Sequence, residues 1–292
     1  MEKYSLRISF IKSELIMRIA ISSLFLLLSF LLIGCSVKMI ENVPYLQNKS
    51  DSSSQPSLNI FTPKKSNLNT NPVLLFVHGG NWNSGNKDLY NFFGNNFAKK
   101  GITTVIVGYT LSPEADYEMM TSQIAEAIKW TLKNIFKYKG DPDKLFLTGH
   151  SAGGHLVALA AMDPQYEIDP SSISGIILND AAGLDMHNYL QQIPPTTTDN
   201  YLSTWTNDPE TWKKASPIYY VSESTPKIMM YVGEKTYPSI TVANKRFLEA
   251  VKPFQPNLKP ILLDKQHIPM MTQFIWPWNN RYEEMIQFMQ DN

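Results

Sequence analysis

Gly149-His150-Ser151-Ala152-Gly153 places a serine between two glycines, each two positions away. A serine hydroxyl is a weak nucleophile until a neighbouring base removes its proton, so the pattern matters only in the right context. That context is a strand, a sharp turn and a helix. Leu145 to Thr148 is a short apolar run that reads as a strand, and Ala152 to Met162 reads as a helix. A serine in such a turn occupies a strained backbone position, where side chains two residues away on either side collide with neighbouring elements. The helix that follows aims backbone N–H groups and its positive dipole end at a developing negative charge. The competing interpretation is a glycine-rich turn carrying an ordinary serine. The flanking strand and helix favour an activated nucleophile at Ser151.

A second element supplies what such a serine needs. His78-Gly79-Gly80-Asn81-Trp82 follows the apolar run Val73 to Val77. Paired glycines let a loop approach a substrate carbonyl and donate N–H groups to it. The expected oxyanion donors are the N–H groups of Gly80, Asn81 and Ala152. Trp82 reads as a packing residue. Five histidines could be the base. His78 belongs to the loop, and its place beside the glycines suits a brace. His150 and His155 lie too close in sequence to Ser151 to reach its Oγ from across the site. His187 is either a pocket residue or exposed. His267 follows the last predicted strand and alone fits the order serine, acid, histidine. For the acid, Glu234 is the first choice because it follows the strand predicted at 227–232; Asp180 and Asp185 are alternatives, and no acid at all is a further reading.

The elements that must position these groups alternate along the chain. Strands are expected at Leu58–Phe61 (an edge strand), 73–77, 102–107, 145–148, 173–178, 227–232 and 260–263. Helices are expected at 88–100, 117–138 (stopped by Gly140), 152–162, 240–251 and 278–290. The alternation predicts an α/β fold with a mostly parallel, doubly wound sheet. The stretch from about 186 to 217 breaks the rhythm with Thr, Asn, Pro and the aromatics Tyr189, Tyr201, Trp205 and Trp212, and reads as a small cap insertion.

The 292 residues carry 26 basic and 26 acidic side chains and no basic block, which argues against a nucleic-acid partner. Cys35 is the only cysteine, so neither an internal disulfide nor a cysteine-based zinc site is possible. No metal and no organic cofactor is expected. Met17-Arg18 followed by an apolar run from Ile19 to Ile33 has the anatomy of a secretory signal. Its ending, Leu32-Ile33-Gly34-Cys35, resembles a bacterial lipobox. Residues 1–34 are therefore expected to be a signal peptide, with 1–16 an extension upstream of the true start at Met17. Residues 35–57 would be a lipid-anchored flexible tether, and 58–292 the folded domain. The alternative for the apolar run is an uncleaved anchor helix, though it is short for a full span. The expected location is the bacterial cell envelope, with membrane attachment through lipid on Cys35.

Taken together, the Ser151 turn, the His78-Gly79-Gly80-Asn81-Trp82 loop, Tyr109-Thr110-Leu111-Ser112-Pro113-Glu114 and Ala215-Ser216-Pro217 resemble the α/β-hydrolase superfamily. The closest likeness is to the branch that holds hormone-sensitive-lipase relatives, feruloyl-esterase-like enzymes and kynurenine formamidases. It runs from about Val73 to the C-terminus. The resemblance implies a serine hydrolase acting on small-molecule carboxylic esters, with formamide hydrolysis as an alternative. One departure stands out. The branch places an aspartate two residues after a Gly-Glu pair, and here that position is Thr236. The departure motivates a third reading, a non-catalytic surface lipoprotein that binds an acyl ligand in a degenerate site.

Overall fold

The computed structural model describes residues 37–46, 55–64 and 70–292. The proposed signal, Cys35 and residues 47–54 of the expected tether lie outside the described residues.

Eight strands among the described residues form one sheet. They are β1 (Val37–Pro44), β2 (Ser57–Pro63), β3 (Asn71–Val77), β4 (Thr103–Val107), β5 (Gly140–His150), β6 (Gly175–Asn179), β7 (Ile228–Gly233) and β8 (Ile261–Leu263). Their spatial order is β1-β2-β4-β3-β5-β6-β7-β8. β1 pairs antiparallel with β2 and β2 antiparallel with β4, and every other pairing is parallel. Before β6 the α-helices are α1 (Asn91–Lys99), α2 (Tyr117–Asn134) and α3 (Ala152–Met162). After β6 come three short helices, α4 (Met186–Gln192), α5 (Tyr201–Trp205) and α6 (Pro209–Lys214). They occupy the segment expected to be a cap. α7 (Pro238–Val251) follows β7, and α8 (His267–Thr272) and α9 (Arg281–Asp291) follow β8.

The central strands are buried on both faces, as parallel strands covered by helices must be. Successive residues alternate between two cores. Leu74, Phe76, Ile106, Phe146 and Ile177 pack with Phe93 and Phe97 of α1 and with Tyr282 and Met285 of α9. Val73, Leu75, Val77, Val105, Leu147 and Leu178 face the other way, toward Ile124 and Ile128 of α2, Leu156 of α3 and Phe247 of α7.

Three expectations need correction. The sheet begins at Val37 rather than near Leu58, so β2 is not an edge strand and residues 37–44 are not a flexible tether. A bulge between Ile40 and Val43, with Asn42 at φ 55°, breaks the period-two pattern that would have revealed β1. The helix over 117–138 is α-helical only to Asn134, then tightens into a 3₁₀ turn ending at Lys139, which takes the left-handed conformation (φ 62°). Gly140 therefore opens β5 rather than stopping the helix, and β5 starts five residues earlier than predicted.

Tyr45, just past β1, is 2% exposed, and its hydroxyl donates to the Gly108 carbonyl at 2.9 Å beyond the end of β4. Tyr45→Ala should lower unfolding stability by about 3 kcal/mol, read as a shift in the urea midpoint. A mobile tether would leave that midpoint unchanged.

Candidate active site

Ser151 joins β5 to α3 with φ 55° and ψ −123°. A non-glycine residue held there costs about 1–3 kcal/mol, which surrounding contacts must offset. Its N–H donates to the Asn179 carbonyl at 3.3 Å, and its own carbonyl accepts from Gly154 and Ala182 at 3.0 and 3.1 Å. The flanking glycines are required by space. A Cβ on Gly149 would lie 2.3 Å from the Gly153 backbone, and one on Gly153 would lie 2.1 Å from the Val77 carbonyl oxygen. The turn thus packs onto the end of β3, the strand that leads into the glycine loop.

His267, the first residue of α8, reaches Ser151 from the far side of the sheet edge. The Ser151 hydroxyl donates to Nε2 at 2.8 Å, and Nδ1–H donates to Asp180 Oδ2 at 2.6 Å. Asp180 directly follows β6 with φ 49°, and its side chain is fully buried. Its N–H donates to the Tyr231 carbonyl at 2.8 Å. Gly233 N–H donates to Oδ1 at 2.9 Å, and the Thr236 hydroxyl donates to Oδ2 at 2.5 Å. A carboxylate with three donors in a buried site keeps its orientation and has no need of water.

The expectation that Glu234 is the acid is overturned. Glu234 follows β7 on the exposed surface, where its N–H bonds to the Leu263 carbonyl of β8. The chain turns outward after Gly233, and the adjacent strand β6 delivers Asp180 to the imidazole instead. Thr236 sits close by, its hydroxyl 3.4 Å from Nδ1. Asp185, the other alternative, is buried but committed elsewhere. It caps α4 through Asn188 N–H at 3.0 Å and pairs with Arg246 Nε at 2.6 Å.

The remaining histidines have separate roles. His78 is sandwiched between Tyr109 and Tyr90, with ring centroids at 4.6 and 5.8 Å, and its Nδ1–H donates to the Gly79 carbonyl. His155 accepts from Trp82 Nε1–H at 3.2 Å and donates from Nε2 to the Ala215 carbonyl at 2.7 Å. His150 stacks beneath His267 with centroids 4.6 Å apart, and its Nε2–H donates to the His267 carbonyl at 3.1 Å. Burial lowers all three to about 4, so each is neutral near pH 7. The support His150 gives to His267 has no local sequence signal, because the two are 117 positions apart. His187 lies on α4, bonded to the Tyr219 hydroxyl.

Gly80, Asn81, Ser151 and His267 line one cavity of about 740 Å³. Its walls are mostly apolar: Trp82, Tyr189, Ile193, Tyr201, Tyr237 and Ile240. Gly80 and Asn81 both have positive φ, 131° and 52°, and the Gly80 carbonyl accepts from the Ser84 hydroxyl at 2.7 Å. Ala152 is the first residue of α3, where an N–H has no acceptor within the helix. Among the described residues no cluster of three or more His, Cys, Asp or Glu is placed to hold a metal ion.

The family model BD-FAE matches residues 58–248. The chain belongs to the BD-FAE family. Its fold is that of the α/β-hydrolases, as the resemblance implied. The chain is 31% identical over 193 residues to Esterase LipQ of Mycobacterium tuberculosis, covering 61% of this chain and 45% of LipQ. It is 27% identical over 223 residues to the kynurenine formamidase of Danio rerio, covering 72% of this chain and 68% of that protein. The Salmo salar kynurenine formamidase matches over 44% of its own length, so the chain spans about half the length of most of these curated relatives. Among solved structures, Esterase B from Lactobacillus rhamnosis superposes with a TM-score of 0.72 at 19% identity, over 88% of this chain and 86% of that one. A carbohydrate esterase from gut microbiota superposes with a TM-score of 0.70 at 18% identity, over 87% and 95%. At such identities the structures establish the fold alone. BD-FAE membership covers β2 through most of α7, which takes in Ser151 and Asp180 and stops short of His267.

The geometry separates the two carboxylates experimentally. Asp180→Asn should slow covalent labelling of Ser151 by a fluorophosphonate roughly 10²–10⁴-fold, because the imidazole loses the anion that orients it and stabilises its charged form. Glu234→Gln should label at the wild-type rate.

Proposed function

We propose that this chain is a serine hydrolase that cleaves small carboxylic esters through an acyl-enzyme. The observation that carries the reading is the continuous chain of hydrogen bonds from Ser151 Oγ through the His267 ring to Asp180, at 2.8 and 2.6 Å, opening onto an apolar cavity. Ser151 Oγ attacks the ester carbonyl carbon as its proton passes to His267 Nε2. Asp180 remains ionised and stabilises the imidazolium. The carbonyl oxygen becomes an oxyanion, held by the N–H groups of Gly80, Asn81 and Ala152. When the tetrahedral adduct collapses, the C–O bond to the leaving group breaks and Nε2 returns its proton to the departing alkoxide. Water, deprotonated by the same nitrogen, then attacks the acyl-enzyme and frees the acid and Ser151. The apolar walls suit uncharged acyl or alcohol groups.

The BD-FAE match and the esterases among the relatives support the reading. A formamide substrate is a second reading, favoured by the kynurenine formamidase match over 72% of this chain. The same attack then expels an amine. Rates on p-nitrophenyl butyrate and N-formylkynurenine decide between them.

p-Nitrophenyl acetate or butyrate should be turned over, and Ser151→Ala should remove that turnover by a factor of about 10⁴ or more. Equal rates for the two proteins would leave only the acyl-binding reading. We further propose that lipid on Cys35 anchors the protein in a bacterial cell envelope. The support is the apolar run ending in Leu32-Ile33-Gly34-Cys35. Cells should incorporate radiolabelled palmitate into the wild-type chain and not into Cys35→Ser. No incorporation by the wild type would return the segment to the anchor-helix reading.

A further inference from the structure

The cap touches the glycine loop at one conspicuous point. The Tyr201 hydroxyl donates to Asn81 Oδ1 at 2.7 Å, across 120 positions of sequence. Burial raises the pKa of this phenol, so the proton stays on and Tyr201 is the donor. Around this bond lie further ties between the same two segments. Asn83 Nδ2 donates to the Asp199 carbonyl at 2.7 Å. Trp82 meets Trp205 edge-on with centroids 4.8 Å apart, and Tyr201 edge-on at 6.3 Å. On a neighbouring loop, the Ser112 hydroxyl donates to the Asn200 carbonyl at 3.4 Å.

Both segments are bent in the same costly way. Asn81 and Trp82 have φ 52° and 60°, and Asp199 and Asn200 have φ 55° and 59°. Non-glycine residues rarely adopt this conformation, and they persist there only when surrounding contacts hold them. The left-handed pair at 199–200 presents its carbonyls to Asn83 and Ser112 and brings Tyr201 over Asn81. The left-handed pair at 81–82 is held in turn by Tyr201 and by the tryptophan cluster. No other side-chain hydrogen bond to Asn81 is found among the described residues.

We propose that Tyr201 is a positioning residue. Its hydroxyl fixes the Asn81 side chain, and through it the backbone orientation that aims Asn81 N–H at the oxyanion. The cap is then a strut for the oxyanion loop as well as a wall of the cavity. The inference rests on the serine-hydrolase reading for its catalytic consequence and on the geometry alone for the brace.

Tyr201→Phe removes one oxygen and keeps the ring against Trp82 and Trp205. It should lower kcat on p-nitrophenyl butyrate about three- to tenfold, the range of one hydrogen bond, while KM stays within twofold. Asn81→Ala should lower kcat similarly, and adding Tyr201→Phe to it should cause no further loss, because the second change removes a bond already absent. A rise in KM at unchanged kcat would make Tyr201 a substrate contact and overturn the proposal. Additive losses would also overturn it. The backbone amide resonance of Asn81 in an ¹⁵N-labelled protein should shift or broaden in Tyr201→Phe, and an unmoved resonance would count against the brace. That readout needs no turnover. If the wild type cleaves no ester yet the resonance moves, the hydrolase reading falls and the brace stands.

Discussion

The left-handed backbone of Ser151 is the constraint on which the rest of the site depends. At φ 55° the serine projects above the end of β5 while the chain reverses into α3. That reversal brings Gly153 within van der Waals contact of the Val77 carbonyl, closing the turn against the strand that feeds the glycine loop. The Ser151 turn and the glycine loop are therefore held against one another by packing of backbone on backbone. Such contact tolerates no intervening side chain, and it transmits no slack. The carbonyl of Ser151 is occupied as well, by Gly154 and by Ala182 from the chain just beyond β6. The turn is thus bonded to the segment that carries Asp180.

The parts of the site that were legible in the sequence are those fixed by local chemistry. The glycines around Ser151 announce a strained turn because no other residue fits at those two positions. His267 emerges by elimination, since chain order leaves one histidine after the last strand. The acid was not legible in this way. Glu234 and Asp180 each follow a parallel strand, and nothing local tells which strand end faces the imidazole. The choice is made by how the chain leaves β6 and β7. Past Gly233 it turns outward to meet β8, whereas Asp180 turns inward at φ 49° and is locked there by Gly233 and Thr236. The departure at Thr236 was visible, but its meaning was not: the hydroxyl serves the carboxylate that stands in for the missing one.

The same distinction explains the fold. The buried runs of β3, β4 and β6 declare themselves because strands covered on both faces are rich in apolar and β-branched residues. β1 hid because an edge strand with a bulge has no such signature, and the polar run beyond it masked the boundary. The aromatics of the segment expected to be a cap divide between two settings. Trp205 is fully buried in the tryptophan cluster, while Tyr189 and Tyr201 line the cavity.

Two members of the Ser151–His267–Asp180 group stand at the ends of neighbouring central strands, where His150 is in register with Asn179. Their separation is set by the hydrogen-bond ladder of the sheet. The third is carried differently. His267 hangs four residues beyond β8, a three-residue strand at the sheet's margin whose middle residue, Leu262, is 57% exposed. Its carbonyl is caught from below by His150. Marginal strands open at lower free energy than central ones. The imidazole is therefore carried at the short, exposed margin of the sheet, and Ser151 and Asp180 at its centre.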